Sequence, residues 1–271
     1  MSRHVMIAIP AHDHRVGMGT LLSILRARDQ LNALGHTCAV QTWMGDSLLP
    51  AARNILLAHF YHAKEFTDCI FWDSDIWTEG EEVIRLLNHP VDVVGGSYRY
   101  KSDDENYPMG WLPDPEGKGL CAVDPTTGAP SWAGLIEVGA VPGGFLRITR
   151  KAVDALYQKY PERMFKAKNA PDIETVCCLY EVPFVETIGL LGEDYVFCER
   201  AREAGLKVWL DPVLNINHSG NKEYLGSLSA YLLNRDAPKG EAAEQHLATL
   251  RKAFNNPEMA KMFEDALGET T

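Results

Sequence analysis

Short, unbroken apolar runs alternate with segments of helical period through residues 1–100, and this alternation constrains the chain more than any other feature. Val5-Met6-Ile7-Ala8-Ile9 is apolar at every position and is closed by Pro10, the pattern of a strand buried on both faces. Leu21, Leu22, Ile24, Leu25, Leu31 and Leu34 then recur at helical spacing, and Gly35 follows where a left-handed cap is least strained. Cys38–Trp43 reads as a second strand, Pro50–Ala63 as a helix, Cys69–Trp72 as a third strand, Glu81–Leu87 as a helix and Val91–Val94 as a fourth strand. Short connections between alternating strands and helices predict an α/β fold with a mostly parallel central sheet flanked by helices.

The pattern breaks after Tyr100. Residues 101–134 hold five prolines, five glycines and six acids with little periodicity, which suits a long excursion or β-ribbon beside a site. Regular structure resumes with Gly144–Ile148, a helix from about Lys151, a helix near Asp194–Ala204 ended by Gly205, and a strand over Lys207–Leu210. Beyond Gly220 the chain reads as helices over Leu225–Leu233, Glu241–Phe254 and Pro257–Leu267.

Composition excludes several classes. The 271 residues carry 26 basic and 37 acidic side chains, a net charge of −11, so indiscriminate polyanion binding is disfavoured. No apolar run approaches the ~18 residues of a membrane span, and Pro10 closes the first run too early for a secretory leader. The six cysteines, Cys38, Cys69, Cys121, Cys177, Cys178 and Cys198, show no C-x-x-C spacing and are read as reduced thiols. A soluble, cytoplasmic protein is the expectation.

Common site patterns are missing: there is no P-loop, no G-x-G-x-x-G after the first strand, no G-x-S-x-G and no H-E-x-x-H. What stands out is Asp73-Ser74-Asp75, directly after the strand Cys69–Trp72. Residues i and i+2 of an extended segment project to the same side, and two carboxylates so close repel unless a cation lies between them. Hard oxygen ligands suit Mg²⁺ or Mn²⁺, and such an ion neutralises charge developing on a diphosphate. A D-x-D also describes a solvated turn; its place at the end of the third strand favours a site.

The order of these elements resembles the GT-A-fold, nucleotide-sugar-dependent glycosyltransferases, in particular the broad family 2-like group. The resemblance runs from the first strand through Ala11-His12-Asp13, Ala52-Arg53-Asn54, Asp73-Ser74-Asp75, Gly95-Gly96-Ser97-Tyr98 with Lys101, Pro142-Gly143-Gly144-Phe145 and Gly192-Glu193-Asp194 to Asn217-His218-Ser219-Gly220. The wording of Ala52-Arg53-Asn54, Gly95–Tyr98 and Lys101 also resembles phage-encoded members, some of which glycosylate hydroxymethylated bases of DNA.

The resemblance implies a domain over 1–224, with a donor half over about 1–100, an acceptor half over about 135–224, and a helical extension over 225–271. It implies a UDP-sugar donor lying against Pro10, His12 and Asp13 and against Arg53, Lys101, Gly143 and Gly144, with Asp73, Ser74 and Asp75 at the diphosphate. Asp73, Asp75 and His218 would hold the metal, and imidazole favours Mn²⁺ over Mg²⁺. Asp194 would take the proton from the acceptor hydroxyl and Glu193 would orient the acceptor. Direct displacement with one base inverts the anomeric centre, while retaining members share the same D-x-D and histidine, so both stereochemical outcomes stay open. Blander readings stand beside these: a hydrogen-bonded histidine for His218, an ion pair for Arg53, a tight turn for Gly143-Gly144, solvent for Lys101, and a helix start for Glu193-Asp194.

The acceptor is less constrained. Residues 147–168 carry seven basic residues (Arg147, Arg150, Lys151, Lys159, Arg163, Lys166 and Lys168) against Asp154 and Glu162. This reversal of sign suits an anionic acceptor, such as a hydroxymethylated base of viral DNA held through its phosphates, or a solvated helix face. A glycan- or small-molecule-directed transferase, a nucleotidyltransferase and a non-catalytic nucleotide-sugar-binding protein are the alternatives.

Overall fold

In a computed structural model of the chain, which describes residues 2–113, 122–131 and 133–235, the first apolar run forms β1 (His4–Ala11), buried from Val5 onward. It is followed in order by α1 (Met18–Ala33), β2 (Thr37–Met44), α2 (Leu49–His62), β3 (Asp68–Trp72), β4 (Ile76–Trp77), α3 (Glu81–Asn88) and β5 (Val93–Gly95). The later half contributes β6 (Ile136–Val138), β7 (Phe145–Thr149), α4 (Arg150–Lys159), β8 (Met164–Phe165), β9 (Val176–Cys177), β10 (Phe184–Val185) and β11 (Gly189–Leu190). The remaining elements are α5 (Glu193–Glu203), β12 (Val208–Leu210), β13 (Asn217–Ser219), β14 (Glu223–Tyr224) and α6 (Leu228–Arg235). Residues 1–228 form one compact unit, and a second begins at Ser229. Cys121 and the helices expected over Glu241–Phe254 and Pro257–Leu267 lie outside the described residues.

The central sheet has seven strands in the order β2-β1-β3-β7-β5-β12-β6. Five run in one direction, and β7 and β6 run against them. The α/β expectation with a mostly parallel sheet therefore holds. The antiparallel strand β7 is inserted between β3 and β5, with Trp72 opposite Phe145, so the end of β3 and the start of β7 share one edge. A smaller antiparallel sheet, β14-β13-β4, sits beyond that edge.

Two expectations change. The α1 stripe is Thr20, Ser23, Ile24, Ala27 and Leu31, whereas Leu21, Leu22 and Leu34 are exposed; Ser23 turns inward because its hydroxyl donates to the Gly19 and Thr78 carbonyls. Between β5 and β6 the described residues form no strand, only the isolated pairings of Gly110 with Ala140 and of Val123 with Pro130 and Leu135. Gly35 takes φ 75° and Gly205 φ 81°, the left-handed caps that end α1 and α5. Among the described residues no helix is long and apolar enough to cross a membrane.

Candidate active site

Asp73 leaves the carboxyl end of β3 with its N–H bonded to the Gly144 carbonyl at 2.9 Å, so the backbone pairing of β3 with β7 continues one step past the strands. Its carboxylate accepts from Arg53 Nη2 at 2.9 and 3.1 Å. Arg53 is enclosed on α2, with only 2% of its side chain exposed. Its other nitrogens donate to Glu193 Oε1 at 3.3 Å and to the Gly143 carbonyl at 3.1 Å. Burial alone would lower the Arg53 pKa, but Asp73 and Glu193 outweigh it and hold the guanidinium charged. In this structure Arg53 is taken up by these partners, the ion pair that was its blander reading, and it ties together the segments that carry Asp73, Gly143 and Glu193. The neighbouring Asn54 faces away and clamps the backbone of Leu179 and Tyr180.

The two glycines serve the protein's own packing. A Cβ on Gly144 would lie 2.3 Å from the Tyr98 hydroxyl and 2.7 Å from Asp73 Oδ2, and one on Gly143 would lie 3.1 Å from the Arg53 guanidinium carbon. The close approach read from Gly143-Gly144 is therefore to these side chains. Tyr98, passed over in the sequence, is buried and stands edge-on to the His218 ring at 5.0 Å. Its place in Gly95-Gly96-Ser97-Tyr98, just after β5, is the only sequence signal for it.

The second carboxylate of the D-x-D has a different environment. Pairing of β13 with β4 sets His218 opposite Ile76, and the Ser219 N–H donates to the Asp75 carbonyl at 2.8 Å. His218 Nε2 consequently faces Asp75 Oδ2 at 3.5 Å, while Nδ1 lies 2.9 Å from the Arg99 carbonyl oxygen. A carbonyl only accepts, so Nδ1 carries a proton, and Nε2 is the nitrogen turned to Asp75, as in a metal-ligating histidine whose other nitrogen is held by a backbone carbonyl. Lys101 Nζ sits 2.5 Å from the same Oδ2. Burial opposes ionisation of Asp75, but His218 and Lys101 overcome it and hold the carboxyl at about 2. For Asp73 the balance is reversed: burial, with Asp75 and Glu193 nearby, pushes its carboxyl up against the pull of Arg53.

Asp75 and His218 fit a hard or borderline divalent ion that takes its remaining ligands from water and substrate oxygens. Among the described residues no three His, Cys, Asp or Glu side chains converge as a ready-made cage, because Asp73 is turned to Arg53.

Glu193 and Asp194 open α5. Glu193 is engaged by Arg53. Asp194 Oδ2 accepts from the Gly143 N–H at 3.3 Å and Oδ1 from the Tyr195 N–H at 2.9 Å. Burial first, and then Glu193, raises its carboxyl above the usual range.

Pro10 is buried in β1, and His12 and Asp13 are exposed just past the strand. His12 bonds the Asp46 carbonyl at 2.9 Å, and Asp13 accepts from the Arg15 N–H at 3.2 Å. The Ser74 carbonyl accepts from the Gly17 N–H at 2.7 Å and the Thr20 hydroxyl at 3.1 Å, joining this loop to the D-x-D.

The basic segment divides between buried and exposed side chains. Arg147 is buried and donates to Asp68 at 2.7 Å and to three carbonyls around the end of α3. Arg150 takes the carbonyls at the end of α2, Lys151 pairs with Asp92 and Arg163 with Glu181. Lys159, Lys166 and Lys168 are exposed. Part of the charge reversal, Arg147 and Arg150, thus serves helix ends and a buried carboxylate.

No protein-family model matches the chain, and no curated protein matches it significantly. Several solved structures share a distant likeness, among them the following three. The protein A197 from STIV has a TM-score of 0.44 at 16% identity, over 83% of this chain and 94% of that one. GalNAc-T7, solved with UDP, GalNAc and Mn²⁺, has a TM-score of 0.46 at 14% identity over 89% of this chain, which spans about half (49%) of that protein. A glycosyltransferase involved in glycosylation of the major capsid of PBCV-1 has a TM-score of 0.29 at 10% identity, over 62% of this chain and 74% of that one.

Proposed function

We propose that the carboxyl edge of β3 and β7 is the donor site of a metal-dependent glycosyltransferase acting on a UDP-sugar, with residues 1–224 as the catalytic domain. The observation that carries this reading is the pairing of Asp75 Oδ2 with His218 Nε2 at 3.5 Å, with the other imidazole nitrogen fixed by the Arg99 carbonyl. Asp75 and His218 would hold Mn²⁺ or Mg²⁺, which supplies positive charge to the leaving diphosphate.

The remaining roles fall to the chain itself. Arg53 holds Asp73, Gly143 and Glu193 in one cluster, and the exposed loop with His12 and Asp13 faces the nucleotide. Asp194, fixed by the Gly143 and Tyr195 amides, takes the acceptor hydroxyl proton while the acceptor oxygen bonds to the anomeric carbon and the bond to the diphosphate oxygen breaks. Displacement with one base inverts the sugar. Glu193 supports Asp194 through Arg53 rather than meeting the acceptor.

UDP release from UDP-sugars, measured with Mn²⁺, with Mg²⁺ and in excess chelator, tests the reading. Metal-dependent release that Asp75→Asn and His218→Ala both abolish is the expected result. Pyrophosphate release from a nucleoside triphosphate would reassign the protein as a nucleotidyltransferase, and binding of UDP without turnover as a binding protein. The same assay compares glycan, small-molecule and hydroxymethylated-DNA acceptors.

A further inference from the structure

Lys101 brings a positive charge to the place where the donor site needs a divalent one. Its ammonium is 2.5 Å from Asp75 Oδ2, the oxygen that also faces His218 Nε2. A hard divalent ion binds a carboxylate oxygen at about 2.0–2.6 Å. Two cations crowded on one partly buried oxygen repel by several kT, so the ammonium and the ion compete for it.

The lysine is held in that place by the fold. Its stem crosses the bare Cα of Gly220, where a Cβ would come within 3.0 Å of Lys101 Cδ. The segment that carries it is tied to the β13–β14 hairpin: Arg99 donates to the Leu225 carbonyl at 3.2 Å, the Arg99 carbonyl accepts from His218, and Asp103 pairs with Lys222. Tyr100 N–H closes the segment on the Asn106 carbonyl at 3.0 Å.

We propose that Lys101 is a built-in competitor of the divalent ion. Its ammonium neutralises Asp75 while no ion is bound and is displaced when one binds, so Lys101 sets the affinity of the site and couples its loading to segment 99–106. The inference rests on the donor-site reading above and deepens it.

Mn²⁺ binding to the whole protein without any donor, read from the loss of the free-ion EPR signal, tests it. Lys101→Met should tighten binding by about tenfold or more. Lys207→Met removes the same charge from the opposite end of the sheet, where Lys207 pairs with Glu137, and should leave binding unchanged. Gly220→Ala keeps every charge but crowds the lysine stem, and should tighten binding to a lesser degree. Equal or weaker binding by Lys101→Met overturns the proposal, as does equal tightening by Lys207→Met. Mn²⁺ binding that survives Asp75→Asn and His218→Ala would instead defeat the donor-site reading, because the ion would then lie elsewhere.

Discussion

Arg53 on α2 and Glu193 on α5, 140 residues apart, meet at 3.3 Å, and the same guanidinium reaches Asp73 at 2.9 Å. A single enclosed cation thereby positions both acidic motifs. Arg53→Met leaves two carboxylates in a poorly hydrated cluster without their partner, at a cost of roughly 3–5 kcal/mol. Thermal unfolding should show a drop of about 2–4 °C for each kcal/mol lost. The deficit should shrink as the pH is lowered and the orphaned carboxylates take up protons.

Gly144→Ala should disable the site through packing alone. Its Cβ would fall 2.3 Å from the Tyr98 hydroxyl and 2.7 Å from Asp73 Oδ2, and crowding of this kind costs about 1–3 kcal/mol. Tyr98→Phe removes the nearer atom, so the double variant should regain part of the lost stability and donor binding. A double-mutant cycle with non-zero coupling checks it.

Asp194→Asn should preserve Mn²⁺ and UDP binding while reducing transfer by roughly 10²–10⁴-fold. Because burial and Glu193 raise the Asp194 carboxyl above its ordinary 3.8, the acid limb of kcat/KM should lie above that pH. The limb should disappear from the residual activity of the variant.

At the opposite end of β3, Asp68 is held below its usual range: burial opposes ionisation, but Arg147 and Thr67 outweigh it. A depressed folded pKa contributes stability that is complete above the unfolded value of 3.8 and is lost as the pH falls below it. Asp68→Asn should therefore flatten the acid limb of the stability curve. It should also cost about 3–5 kcal/mol near neutrality by stranding the buried Arg147, as urea unfolding at several pH values would show.

What the sequence determined by itself was local. The all-apolar run of β1 and the β3 run closed by Asp73-Ser74-Asp75 have the length and flanks of buried strands, and Gly35 and Gly205 could end helices because both take left-handed backbone. Asp73-Ser74-Asp75 marked the candidate edge for a related reason, since paired carboxylates after a buried strand need cations. What each carboxylate meets was decided by tertiary structure. Insertion of β7 against β3 delivers Gly143 and Gly144, packing of α2 delivers Arg53 to Asp73, and the β13–β4 pairing delivers His218 to Asp75. The basic segment of 147–168 meets the same limit: charge in a sequence has no direction. Only the folded chain shows Arg147 and Arg150 turned inward, where a buried carboxylate and helix-end carbonyls demand a cation whose bonds satisfy them.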